Sequence, residues 1–193
     1  YVKYKCPDPL ALIACILSEA FGISVDKMAQ MSNIACNHLR TIHENFVYVE
    51  NLKLVNNVFS NYIHNLPVSR AWDLMENKVV SDADGQKFET SQHTIQSRYS
   101  SKYFGSYKGI SIYSLTANYI SVNAKIIGPN EHESHHLYDV LYNNQTTVSI
   151  DMVTGDGHSI NQTSFLTMDS IEIEFIPSIN NIREAAEKLY SVN

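Results

Sequence analysis

Two sets of residues in this 193-residue chain have the types and spacing to do chemistry. The first is His132-Glu133-Ser134-His135-His136, which fits H-E-x-x-H. In that pattern one helix face offers two zinc ligands and a general base. The second is a pair of aspartates, Asp84 in "SDADGQKF" and Asp156 in "TGDGHS", each ending an apolar, β-rich run. If those runs are neighbouring strands, both carboxylates project from one sheet edge. Hard cations such as Mg²⁺ prefer such oxygen ligands and keep waters for substrate phosphates. Two ions a few ångströms apart can stabilise the entering and leaving oxygens of a phosphodiester displacement. Each aspartate also has a plainer reading. Asp84-Gly85 could be a hairpin turn, and Asp156-Gly157 a turn leading into a helix capped by Ser159. Spacing alone leaves both readings open.

The elements that must position these residues fall into two halves. Up to about residue 76 the apolar period is helical. Leu10, Ile13, Leu17 and Phe21 mark a first helix, with Asp8-Pro9 as cap and first position and Gly22 as its stop. Ser24 opens a second around Met28 and Met31. A third fits Ile34 to Phe46, and a fourth Leu52 to Ile63, closed by Pro67. Beyond that, runs 79–88, 108–116, 119–128, 147–156 and 171–179 are rich in Ile, Val and Tyr and predict strands. The second and third can form a hairpin across Ala117-Asn118. Helical patterns at 131–143 and 158–169 interrupt the later strands. The order β-β-β-α-β-α-β predicts an α/β fold, a mixed sheet with helices packed on it. The expected domains are therefore a helical segment, 1–76, and a sheet-based core, 77–193.

Composition narrows the class. No apolar run exceeds eight residues, so no stretch can span a bilayer. Cys6, Cys15 and Cys36 are an odd number without C-x-x-C, which reads as free thiols in a reducing compartment. The net charge of −6 argues against a general nucleic-acid coat. Its distribution is uneven, because residues 85–125 hold Lys87, Arg98, Lys102, Lys108 and Lys125 against Glu89 alone. With Tyr99, Tyr103, Phe104 and Tyr107 interleaved, that segment reads either as a phosphate-contacting surface or as a solvated loop whose aromatics cover the core.

The runs "LPVSRAWDLMENKVVSDADGQKF", "SRYSSKYFGSYKGISIYSLTANYI", "NEHESHHLYDVLYNNQT" and "MVTGDGHSINQTSF" together resemble the catalytic region of the Tn-three-family transposases, the DDE enzymes of replicative bacterial transposons. The upstream "LALIACILSEAFGISVDKMAQMSN" resembles the helical segment before that region, so the likeness covers nearly the whole chain in order. The resemblance implies an RNase H-like catalytic core over 77–193. It makes Asp84 and Asp156 the first two catalytic, metal-holding acids; Asp82 is the local rival, and the acid directly before Gly-Gln favours Asp84. It also implies two Mg²⁺ or Mn²⁺ ions, nicking of transposon ends, and joining of the 3′-OH to target DNA. The expected partners are terminal inverted repeats, target DNA and further copies of the transposase, in the bacterial cytoplasm at the nucleoid and with no membrane role. Arg98, Lys102 and Lys108 are then the expected DNA contacts.

A similar "HESH" stretch belongs to this family's helix between its third and fourth strands, which removes the zinc reading. The residues agree, since a metzincin needs Gly and His where this chain has Asp139 and Tyr142. The family's third acid is a glutamate on a helix past the fifth strand, after a long insertion. Glu172, Glu174, Glu184 and Glu187 read as surface positions. The chain is therefore expected to be truncated before the final catalytic helix and inactive alone. Two alternatives stand beside the transposase reading: another RNase H-like nuclease, and a degenerate DNA-binding remnant.

Overall fold

A computed structural model describes residues 7–75, 78–92, 94–179 and 181–190; Cys6 lies outside them. The chain forms two compact units, residues 1–56 and 57–193.

In the first unit, α1 (Pro9–Ala20) starts where Asp8 accepts the Leu10 amide at 3.1 Å and Pro9 takes a position that needs no donor. Ser24 caps α2 (Val25–Ser32) in the same way, through the Lys27 amide at 3.3 Å. These helices and α3 (Cys36–Phe46) enclose a small core of Ala11, Cys15, Met28, Leu39 and Ile42. Cys15 is a buried free thiol, as the sequence predicts, and Cys36 is a half-buried one. The division between units falls within α4 (Val49–His64). Among the described residues no helix is long and apolar enough to cross a membrane.

The second unit is built on a six-stranded sheet. Its strands are β1 (Val80–Glu89), β2 (Arg98–Tyr99), β3 (Lys108–Ala117), β4 (Ile120–Ile127), β5 (Met152–Gly155) and β6 (Glu174–Phe175). Across the sheet the order is β4-β3-β1-β5-β6, with β2 beside the start of β3. β3 runs antiparallel to β1 and β4, while β1, β5 and β6 are parallel. One antiparallel strand set into that order is the RNase H-like arrangement. β3 alternates half-buried and buried residues along its length, so one sheet face is sealed. Tyr113, Leu115, Ala117, Ala83 and Val153 on that face pack against Leu137, Val140 and Leu141 of α6 (Leu137–Tyr142) and Met168 of α7 (Gln162–Ser170).

Several boundaries differ from the sequence reading, each for a local reason. β1 runs straight through Asp84-Gly85 to Glu89, so Asp84 lies mid-strand instead of ending it, and no hairpin turn forms there. The β3–β4 turn is Asn118-Tyr119, both at positive φ, as a twist-matched two-residue hairpin requires. Trp72 steadies it edge-on against Tyr119 at 5.0 Å, and the Asn118 amide donates to Asp73 at 2.6 Å. β5 begins only at Met152, because the Asn144 side chain holds 144–148 in a turn through Thr146 and Val148. β6 has two residues where nine were expected. Ile171 caps α7 and Glu172 takes φ 60°, so the first residues of that run close a helix end. α7 is capped by Asn161 at the Ser164 amide (2.8 Å) and not by Ser159.

Candidate active site

The parallel register of β1 and β5 brings the two sequence-predicted acids together. Ser81 pairs with Val153, Asp82 with Thr154 and Ala83 with Gly155. One step further along both chains stand Asp84 and Asp156. Strand alternation puts Asp82 and Asp84 on one face, the face opposite the sealed core, and both are exposed. Asp84 accepts the Gly85 amide on Oδ1 at 2.8 Å, and the Ser114 hydroxyl donates to its carbonyl at 3.2 Å. Asp156 is the first residue past β5, and Ser159 fixes its carbonyl through both amide (3.0 Å) and hydroxyl (2.6 Å). The Asp82 carboxyl is held above the usual aspartate range, first by partial burial and then by the charges of Asp84 and Asp156. Three acids thus share one field.

Among the described residues no group of three or more acid, histidine or cysteine side chains is placed to hold a metal ion. What this edge offers is a set of hard oxygen donors with surplus negative charge. That chemistry suits a divalent cation, which would offset the carboxylate charges that add to burial in raising Asp82. Of the downstream glutamates, Glu174 pairs with Lys78 on β6, and Glu172 lies in its left-handed turn.

On the other face of β1 is a cleft of about 490 Å³ that reaches Asp156 at its rim. Its floor includes Ala83, Lys87, Tyr113 and Glu133. Glu133 bonds the Lys87 ammonium at 2.7 Å through Oε1 and lies against the backbone of Gly85. A Cβ on Gly85 would meet the Glu133 carboxyl carbon at 2.1 Å, so any larger residue there would force the Glu133 carboxylate to shift. Tyr113, 2% exposed, sits opposite Gly85 on β3. Its phenol is pushed well above the ordinary range by burial, then by Glu133, Asp156, Asp82 and Asp84, and stays a donor.

Glu133 is the residue whose role the sequence concealed inside H-E-x-x-H. The stretch 133–136 forms a 3₁₀ turn and not an α-helix, so i and i+4 do not stack on one face. His132 stacks on His135 at 5.3 Å and bonds Ser134. His136 engages Lys125 (3.2 Å) with one ring nitrogen and Glu131 (2.9 Å) with the other. Lysines 87 and 125 face these elements from β1 and β4; two basic residues of the sheet read against that stretch are the signal available in the sequence.

The basic segment forms another wall of the same cleft. Lys102, on the short α5 (Ser101–Phe104), lies over the Tyr103 ring at 4.9 Å, with Lys87 over the same ring at 4.7 Å. Lys108 lies over Tyr99 at 4.9 Å. The Arg98 guanidinium is turned onto local carbonyls, those of Ile95 and Ser97. Lys87 and Lys125 are neutralised by Glu133 and Asp139. The outward positive charge of the segment is therefore smaller than its composition indicates.

The Tn3 transposase DDE domain family matches residues 3–193. The chain is 20% identical over 188 residues to the transposase for transposon Tn1546 of Enterococcus faecium, covering 96% of this chain and 18% of that protein. Among solved structures, the Mos1 transposase paired-end complex aligns over 93% of this chain and 62% of its own (9% identity, TM-score 0.37). The piggyBac synaptic complex aligns over 95% and 45% (12%, 0.46). The chain thus spans less than a fifth of its curated relative. With the match running through Asp84, Asp156 and every strand between them, the chain belongs to the Tn3 transposase DDE domain family.

Proposed function

We propose that Asp84 and Asp156 are two catalytic acids of a DNA transposase that nicks transposon ends and joins the freed 3′-OH to target DNA. In the first step water forms a P–O bond and the 3′-oxygen leaves the same phosphorus; in the second that 3′-OH attacks and a target-strand oxygen leaves. The observation that supports this reading is the β1–β5 register, which pairs Ala83 with Gly155, so that Asp84 and Asp156 are the next residues on neighbouring strands, beside a cleft. Mg²⁺ or Mn²⁺, two ions in the intact protein, would supply Lewis acidity at the entering and leaving oxygens. The chain's own contribution is to hold Asp84 and Asp156 in fixed relation through the sheet, and to present Lys102 and Lys108, with Arg98, to the DNA backbone. Neither Glu172 nor Glu174 is assigned as the third acid, and Glu184 and Glu187 are left as helix-surface residues.

The test uses the intact transposase with transposon-end and target oligonucleotides and Mn²⁺. Asp84→Asn should lower cleavage and joining by a thousandfold or more, since a lost carboxylate site is worth several kcal/mol and each ~1.4 kcal/mol is tenfold. Parent-level joining by that variant would overturn the assignment. Hydrolysis without joining would instead mark a nuclease.

A further inference from the structure

The cleft beside the acids has a floor that the proposed chemistry does not use. Tyr113 is 2% exposed, and among the described residues its hydroxyl has no hydrogen-bond partner. No fully buried side-chain oxygen among them lacks a partner, so the open part of Tyr113 is its hydroxyl, at the cleft. Beside it Glu133 spends Oε1 on Lys87 and Ser111, and Oε2 accepts nothing among the described residues. A donor and an acceptor therefore both line a pocket to which Tyr99 and Tyr103 also contribute.

Resting on the transposase reading, we propose that this cleft holds one base of a DNA strand, turned out of its stack, with its edge paired to the Tyr113 hydroxyl and Glu133. Every base presents an acceptor next to a donor, which matches that floor. A phosphate does not fit there, because Glu133 and Asp156 repel it. The phosphate belongs at the mouth, where Lys102 is exposed and can exchange the Tyr103 ring for an anion. Rings supply sequence-tolerant stacking and cations track the backbone, the usual means of holding single strands. At about 490 Å³ the cleft is within the range of small-ligand sites, roughly 300–1,000 Å³, and is far too small for a duplex. Asp156 at the rim places the next phosphodiester toward the carboxylate edge, and extruding a nucleotide is a general way of bringing buried atoms to an enzyme.

The probe is a single-stranded hexamer carrying 2-aminopurine, titrated into the 193-residue chain in EDTA and read by fluorescence, with the duplex hexamer alongside. The parent should quench the probe and prefer the single strand. Tyr113→Phe should weaken single-strand binding by about tenfold while keeping its unfolding midpoint, because it removes a hydroxyl that the fold does not use. Tyr103→Ala, at an exposed ring, should lose the quench. Equal affinity for Tyr113→Phe and parent, or no single-strand binding by the parent, would overturn the proposal. No cation is present, so that failure leaves the carboxylate assignment to be judged by the cleavage assay.

Discussion

On one face of β1, Ala83 and Gly85 lie against Tyr113, Leu115 and the Glu133 carboxylate; on the other, Asp82 and Asp84 stand open beside Thr154. The two faces share one backbone and differ in what holds them. The sealed face is held by close packing, in which a single methyl group is felt. The open face carries like charges: partial burial is the first cause of the raised Asp82, and the charges of Asp84 and Asp156 add to it. The packed face fixes the strand's position, and the open face carries the charge at that position.

If that division is right, substitutions on the sealed face should cost stability, and those on the open face should cost little or even gain. The largest stability effect is expected for Leu115→Ala, at a fully buried position of β3, which should destabilise the second unit by about 2–5 kcal/mol in denaturant unfolding. A loss under 1 kcal/mol would mean that the sealed face does not govern the strand's position. Gly85→Ala comes next. Its Cβ meets the Glu133 carboxyl, and overpacking of this kind costs about 1–3 kcal/mol. The same change should weaken divalent-cation binding at the edge, measured by calorimetry, since Asp84 is the adjacent residue. Unchanged cation affinity would separate the two faces more completely than proposed.

The smallest effect is on the open face. Because the folded state raises the Asp82 pKa, the fold binds that proton more tightly than the unfolded chain does, and ionisation costs stability as pH rises through the folded value. Asp82→Asn should therefore raise the unfolding midpoint at neutral pH. The gain should shrink as pH falls through the carboxylate range and vanish below the usual aspartate range, where both states carry the proton. A gain that persists unchanged in acid would show a packing effect, with no contribution from the Asp82 charge.

Much of this was readable from residue types. The alternation over 108–116 marks β3 and the Ile- and Val-rich runs mark most of the strands, while Asp84 is singled out by the family resemblance and not by residue type. Asp8 and Ser24 marked helix starts through side chains that cap, a short-range effect that sequence states directly. The boundaries that moved depend on competition with neighbours. Asn144 draws its segment into a turn that apolar content alone does not reveal. Arg98-Tyr99 becomes a strand only because Lys108 and Gly109 offer a ladder to join. Glu133 was hidden most completely, since its partners Lys87 and Ser111 come from two other strands and no local spacing records them.

The pairing of β1 with β5 also has a consequence in time. These strands meet across a gap of roughly 70 residues, so closing that loop carries an entropy cost before any contact repays it, and such pairings form late in folding. Neither aspartate has its neighbour until that closure is made. A nascent or partly folded chain can therefore display its helices and its β3–β4 hairpin while Asp84 and Asp156 are still apart. The two-acid edge is therefore a property of the completed sheet and of no shorter segment of the chain.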